Sequence, residues 1–237
     1  MSLPVPDPGQ IAQAVLIPAY LEDVYWWAYV HPRAVRLFER QWLVNMILWG
    51  NFARLRDAAL DALGDSLPGR TLQVACVYGD LTERLASRVA GEGRLDVVDV
   101  LPIQLKNLER KLPAEAPVEL HHADSRALGF ADASFDRVLI FFLLHEQPEE
   151  VRRATLAEAL RVLRPGGRLV VVDYHRPNYM HPLRLLLGAV LRRLEPYALD
   201  LWRDEVFTWL PAGAARLVEK RRYFGGLYQQ LRIERLG

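Results

Sequence analysis

Between Thr71 and Asp173 the spacing of apolar positions switches repeatedly between the period of a strand and that of a helix. Leu72, Val74 and Val77 predict a strand at 71–77. Gly79 follows as the residue free to adopt positive φ, and Asp80 with Glu83 has the pattern of an N-cap box. The helix so opened, 80–90, carries Leu81, Leu85 and Val89 inward. The same reasoning predicts strands at 94–100, 118–123, 137–144 and 168–173, with helices from Pro102 and over 149–163. Such alternation predicts an α/β protein, with a doubly wound, mostly parallel sheet and helices on both faces. Ligands in these sheets sit outside the carboxyl ends of the strands, which singles out Tyr78, Asp80, Asp99, Asp124, His145, Glu146, Asp173 and His175.

The flanks are patterned differently. Residues 1–20 are rich in proline, and Tyr25-Trp-Trp-Ala-Tyr-Val-His-Pro32 concentrates aromatics. Arg33 to Asn51 places Val35, Phe38, Trp42, Leu43 and Met46 at helical spacing, and a second amphipathic segment runs to Leu63 before a Gly64–Gly69 loop. Residues 1–66 therefore form an N-terminal helical lid segment and 67–237 the main domain. The aromatics fit ordinary core or a lid over a flat apolar ligand, and the second reading makes Tyr25, Trp26, His31, Phe142 and Tyr174 substrate contacts. An insertion at about 177–212 contains a helix, Leu183 to Leu194, with a stripe of Leu183, Leu186, Leu187, Val190, Leu191 and Leu194 beside Arg184, Arg192 and Arg193. It suits a lid helix packed on the domain, or a helix lying in a membrane interface with Trp202, Phe207 and Trp209 nearby. Strands near Val218–Phe224 and Leu227–Ile233 predict a closing hairpin around Gly225-Gly226, with Tyr228 toward the site.

Composition narrows the function classes. A 237-residue chain with 51% hydrophobic and 25% charged residues can bury a full core as one globular domain. Thirty basic against twenty-nine acidic residues leave a net charge of +1, so no global field favours nucleic acid. A single cysteine, Cys76, excludes an internal disulfide and suits a cytoplasmic protein. The start lacks the charged and apolar regions of a secretory signal. The apolar run Val138 to Leu144 is seven residues, where a spanning helix needs ~20. The expected location is cytoplasmic, with at most a peripheral position at the inner face of the membrane.

Asp99, twenty residues after Gly79, occupies the strand end from which a carboxylate accepts hydrogen bonds from both ribose hydroxyls of a nucleoside cofactor. Together with Asp124-Ser125, Phe130-Ala-Asp-Ala-Ser-Phe-Asp136 and Arg164-Pro-Gly-Gly167 before Arg168-Leu-Val-Val-Val-Asp173, it resembles class I S-adenosylmethionine-dependent methyltransferases, especially those acting on ubiquinone precursors. That resemblance implies a Rossmann-like sheet of seven strands and S-adenosylmethionine as cofactor. It implies cofactor contacts from Gln73, Ala75, Val77, Tyr78, Gly79, Asp80, Asp99, Val100, Asp124 and Ser125.

The first motif departs from that family, which usually carries acidic-x-Gly-x-Gly-x-Gly where this chain has Gln73-Val-Ala75-Cys-Val77-Tyr-Gly79. Ala75 and Val77 should displace the methionine end of the cofactor. Neutral Gln73 in place of an acid should lower the pKa of the cofactor's amino group and leave more of it as nucleophilic NH2. The altered motif, with Trp26-Trp-Ala-Tyr-Val-His-Pro-Arg33, Phe141-Phe-Leu-Leu-His-Glu-Gln147 and Val172-Asp-Tyr-His-Arg-Pro177, is similar to the bacterial rhodoquinone-biosynthesis family over about residues 20–230. This resemblance implies conversion of ubiquinone to rhodoquinone: a ring methoxy group is replaced by an amino group from S-adenosylmethionine, supported by a divalent metal, manganese. Candidate catalytic residues are Tyr78, Asp173, His175 and His145, with His145, Asp173 and His175 offering ligand types that manganese accepts. His145 equally suits a strand cap. Cys76, expected within a strand, reads as inert, and His121 and His122 as one packed and one exposed residue. A conventional quinone methyltransferase and a binding protein without turnover are the alternatives.

Overall fold

The computed structural model describes residues 17–21 and 40–237. Among the described residues, helices α1 (Gln41–Ile47) and α2 (Phe52–Leu63) lead into β1 (Arg70–Val74), α3 (Leu81–Ala86), β2 (Arg94–Asp99), α4 (Pro102–Glu109) and β3 (Val118–His122). Then come β4 (Phe135–Phe141), α5 (Glu149–Val162), β5 (Leu163–Tyr174), α6 (Arg184–Leu194), α7 (Asp200–Arg203), β6 (Ala215–Tyr223) and β7 (Tyr228–Arg235). The strands form one seven-stranded sheet in the order β3-β2-β1-β4-β5-β7-β6.

Neighbours among β1 to β5 run parallel, as the alternating pattern requires. The closing hairpin makes the sheet mixed, because β7 enters antiparallel between β5 and β6. Strand order reverses between β1 and β4, which opens the crevice where doubly wound sheets bind ligands. One face of the sheet is covered by α2 through Leu55, Leu60 and Leu63, and the other by α5 through Leu156, Leu160 and Val162 with Trp209 beyond. Truncating such a leucine to alanine costs about 2–5 kcal/mol.

Several local expectations are corrected. β1 stops at Val74 because Ala75 turns into the left-handed region at φ 74. Cys76 is therefore outside the strand and only half-buried. The Asp80 side chain makes no capping bond to α3. It is held instead by Arg56 at 2.6 Å and Arg84 at 2.6 Å, and charge pairing wins over the cap. The first helix is shorter than predicted, and Trp42 and Met46 lie exposed instead of inward; Val35 and Phe38 are outside the described residues. In α6 only Leu187, Gly188 and Leu191 are buried, so the leucine stripe is wider than its core contact.

Candidate active site

The carboxyl ends of β1, β2, β3, β4 and β5 surround one cavity of about 740 Å³, with α1 and α6 flanking its mouth. That volume lies within the range of about 300–1,000 Å³ usual for small-molecule and cofactor pockets.

On one side the chain between β1 and α3 makes the wall. Ala75, Cys76, Val77 and Tyr78 line the cavity, whereas Gly79 and Asp80 turn away from it. Gly79 has φ 83, and a Cβ there would stand 2.7 Å from the ring of Phe52, so only glycine fits. Gln73 is fully buried beneath this turn. Its amide donates to the Ala75 carbonyl at 3.0 Å, and its oxygen accepts from the Thr82 hydroxyl at 3.1 Å. Gln73 thus braces the turn and does not line the cavity. Ala75, holding φ 74 without being glycine, carries about 1–2 kcal/mol of strain.

Asp99 closes β2 with its carboxylate at the cavity wall. One oxygen accepts from the Cys76 amide at 2.7 Å and the other from the Leu101 amide at 2.8 Å. Burial pushes its pKa up to about 6 against these two bonds. Each oxygen keeps a lone pair for a further donor, the arrangement that a ribose diol requires. Val100 and Leu101 continue the wall with apolar surface, and Asp124 and Ser125 line it from the end of β3. Asp124 is bonded by the guanidinium of Arg126 at 2.7 Å, and Ser125 shares hydrogen bonds with Thr155 at 2.7 Å and Gln147 at 3.1 Å. Tyr78 accepts from the Gln104 amide at 2.8 Å. A nucleoside fits this side through Asp99, Val100 and Leu101.

The opposite side is an acid–base cluster. Asp173, with no exposed surface, accepts from the amides of Leu144, His145 and Tyr174, and its Oδ1 lies 2.9 Å from His145 Nδ1. Burial alone would depress the imidazole, but Asp173, with Glu195 and Glu146 beyond it, overrides that and holds it up at about 9. His145 Nε2 lies 3.7 Å from Glu146 and 3.8 Å from Glu195. Burial raises the Glu195 carboxyl against the pull of His145, and the hydroxyl of Tyr174 hydrogen-bonds to it. Phe142 stands at φ 52, a strained conformation for an aromatic residue, and places its ring edge-on to His145, Tyr174 and Tyr228. Phe142, Tyr174, His145, Glu146 and Glu195 line the cavity; Tyr228 packs behind Tyr174.

The predicted metal trio does not assemble. Side chains alternate along β5, so Tyr174 faces the cavity while Asp173 and His175 point to the opposite face. Asp173 reaches back beneath His145, its oxygens committed to four donors. His175 bonds the Gly226 carbonyl through Nδ1 at 2.9 Å and lines a separate, smaller pocket with Glu205 and Arg222. Burial, with Lys220 and Arg222, lowers its pKa. Among the described residues, the donors close enough to share a cation are Asp96, Glu119 and His121. They lie on β2 and β3 and are already paired with Arg70 and Arg94. His121 is part-buried and His122 exposed, as expected.

Tyr25, Trp26 and His31 lie outside the described residues. Sequence reasoning missed Glu195, although it is the sole acid between Leu183 and Leu199 and ends a leucine-rich helix.

The family described as a methyltransferase domain matches residues 71–167, from the start of β1 into β5. A demethylmenaquinone methyltransferase of Beutenbergia cavernae is 34% identical over 203 residues, which is 80% of this chain and 80% of that protein. The chain belongs to the class I S-adenosylmethionine-dependent methyltransferase family. A demethylmenaquinone methyltransferase of Renibacterium salmoninarum is 35% identical over 64% of this chain, and a ubiquinone/menaquinone biosynthesis C-methyltransferase UbiE of Teredinibacter turnerae is 34% identical over 57%. The matches span 60% and 55% of those two relatives' own lengths. Among solved structures, the N-methyltransferase NodS of Bradyrhizobium japonicum aligns with a TM-score of 0.59 at 20% identity, covering 78% of this chain and 96% of that one. That likeness shows the fold alone. No helix among the described residues is long and apolar enough to cross a membrane.

Proposed function

We propose that this methyltransferase-family enzyme uses S-adenosylmethionine to modify the ring of a prenylated quinone. One observation carries the reading: a single cavity joins the Asp99 strand end, shaped for a nucleoside, to an acid–base cluster and an apolar mouth. When bound, S-adenosylmethionine supplies an electrophilic methyl group or, through its amino group, a nucleophilic nitrogen. Asp99 would hold the ribose, and Val100 with Leu101 would pack on the base. The ring would lie against Phe142 and Tyr174, its oxygen facing His145 and Glu195. These two groups exchange a proton with the ring as substituents change.

Two reactions fit this cavity. The relatives named as a demethylmenaquinone methyltransferase and a ubiquinone/menaquinone biosynthesis C-methyltransferase favour methyl transfer to a ring carbon. The turn between β1 and α3 favours attack of the cofactor's neutral amino group on the ring carbon that bears a methoxy group, which would leave as methanol. The quinone ring would then take the electron pair from the methionyl Cα–H bond, and water would cleave the resulting imine to a keto acid and the aminoquinol, the reduced form of rhodoquinone. The turn has neutral Gln73 locked beneath it, and the Val77 side chain on the wall where related enzymes carry glycine. We adopt amino exchange as the reading that accounts for these departures, with methyl transfer as the second.

The test is to incubate the protein with a short-tailed ubiquinone and cofactor doubly labelled with carbon-13 on the methyl and nitrogen-15 on the amine. Amino exchange gives a quinone that has lost methoxy and gained nitrogen-15. Methyl transfer gives one that has gained carbon-13. An unlabelled quinone sinks both.

A further inference from the structure

Among the described residues, the rim of the cavity is apolar and solvent-exposed. Met46, Ile47 and Trp49 from the α1 side, and Val190 and Leu194 from α6, both line the cavity and remain exposed to solvent. Helix α6 and the segment before it expose further apolar side chains. Leu185 is 89% exposed, Leu186 is half-exposed, and Tyr179 and Met180, just before α6, are each 85% exposed. Residues of this kind gathered on one side of a molecule mark an interaction surface.

Helix α6 itself carries charge of one sign, and the exposed acids Asp204 and Glu205 lie beside it in the smaller pocket. Helix α6, Arg-Leu-Leu-Leu-Gly-Ala-Val-Leu-Arg-Arg-Leu, contains Arg184, Arg192 and Arg193 and no acid. Arg176 precedes it, and Arg184 packs over the ring of Tyr179 at 5.5 Å. Among the described residues Arg176, Arg192 and Arg193 have no acidic partner. The acid that follows the helix, Glu195, is turned into the cavity. Exposed leucine, methionine and aromatic side chains interleaved with unpaired arginines are the chemistry of an interface with an anionic bilayer.

We propose that α6, the segment before it and the exposed edge of α1 form a docking surface for an anionic lipid bilayer, with the cavity opening directly into the acyl region. Leu185, Leu186, Tyr179 and Met180 enter the interface, and Arg176, Arg184, Arg192 and Arg193 meet lipid phosphates. The rim of Met46, Ile47, Val190 and Leu194 then offers a dry path from the acyl layer to the ring site. The value of that path rests on the prenylated-quinone reading; the docking itself does not.

Co-sedimentation with phosphatidylcholine vesicles, with and without phosphatidylglycerol, tests the surface independently of turnover. The full chain is expected to pellet with the anionic vesicles and to be released by high salt. The Leu185→Glu/Leu186→Glu double variant should lose about tenfold or more in partitioning, with unchanged circular dichroism and unchanged turnover of a short-tailed quinone. Arg192→Glu/Arg193→Glu should weaken binding to anionic vesicles and leave neutral ones unaffected. If the double variant does not fold, quenching of tryptophan fluorescence by brominated lipids in the wild type, diminished in Trp42→Phe, replaces it. Failure of the wild type to pellet, or equal pelleting of the double variant, overturns the proposal. So does a dimer that these glutamates split into monomers, because that makes a second copy the occupant. Loss of vesicle binding with full turnover of soluble quinone would separate this inference from the catalytic reading.

Discussion

His145 and His175 follow adjacent parallel strands at the same edge of the sheet, yet their surroundings are opposed. His145 is locked to a buried carboxylate, faces two more acids and lines the large cavity. His175 is bonded to a backbone carbonyl, stands near Lys220 and Arg222, and lines the small pocket. The same residue type at a strand end thus acquires a raised pKa in one place and a lowered one in the other. Position at the end of a strand nominates a residue; the face it points to and the charges it meets decide its use.

The largest expected effect follows from breaking the His145 side of this comparison. Asp173→Asn removes the charge that three amides and an imidazole share, and breaking such a buried pair costs about 3–5 kcal/mol. Chemical denaturation should show this loss, with turnover nearly abolished. His145→Ala should keep cofactor binding and lower turnover by about 10²–10⁴, the range for a positioned acid–base group. His175→Ala should change turnover by about threefold or less, because its side chain touches no cavity atom. Equal losses from both histidine variants, measured under saturating cofactor, would erase the contrast.

A smaller effect separates the two sides of the cavity. Asp99→Asn should weaken cofactor binding about tenfold, the loss of one charge-assisted hydrogen bond, and leave the His145 cluster intact. Since Asp99 titrates at about 6, cofactor affinity measured by calorimetry should fall as pH drops below that value. A flat profile from pH 5 to about 8 would contradict the assignment.

Stability against pH gives the finest comparison, because the two histidines contribute with opposite sign. His145, raised from 6.5 to about 9, stabilises the fold fully below pH 6.5, and that contribution is lost as pH rises through about 9. His175 has a lowered pKa, so its contribution is present above 6.5 and is lost as pH falls. Urea midpoints across this range should show the alkaline slope flattened in His145→Gln and the acid slope flattened in His175→Gln.

Much of the fold was legible in the sequence because the strands and helices of the parallel half bury regular stripes. Leu72 with Val74, Leu156 with Leu160, and the Val170–Val172 run all pack as their spacing requires. Asp99 was legible as well, since a fixed distance from Gly79 places it at the end of β2. Contacts between residues distant in sequence were not. Nothing local to Asp80 announces Arg56, twenty-four residues away, as the partner that draws it from the helix cap. Nothing near His145 announces Glu195, which reaches it only after α6 has crossed the cavity. The metal trio failed for a simpler reason: period-two alternation sends Asp173 and His175 away from the face that Tyr174 occupies.

The most direct test of the account is a crystal structure of the chain with S-adenosylhomocysteine and a short-tailed quinone. The ribose should lie on Asp99 and the quinone ring against Phe142 and Tyr174, with a ring oxygen within hydrogen-bond reach of His145 or Glu195. A quinone in the pocket beside His175, or a cofactor that bypasses Asp99, would contradict it.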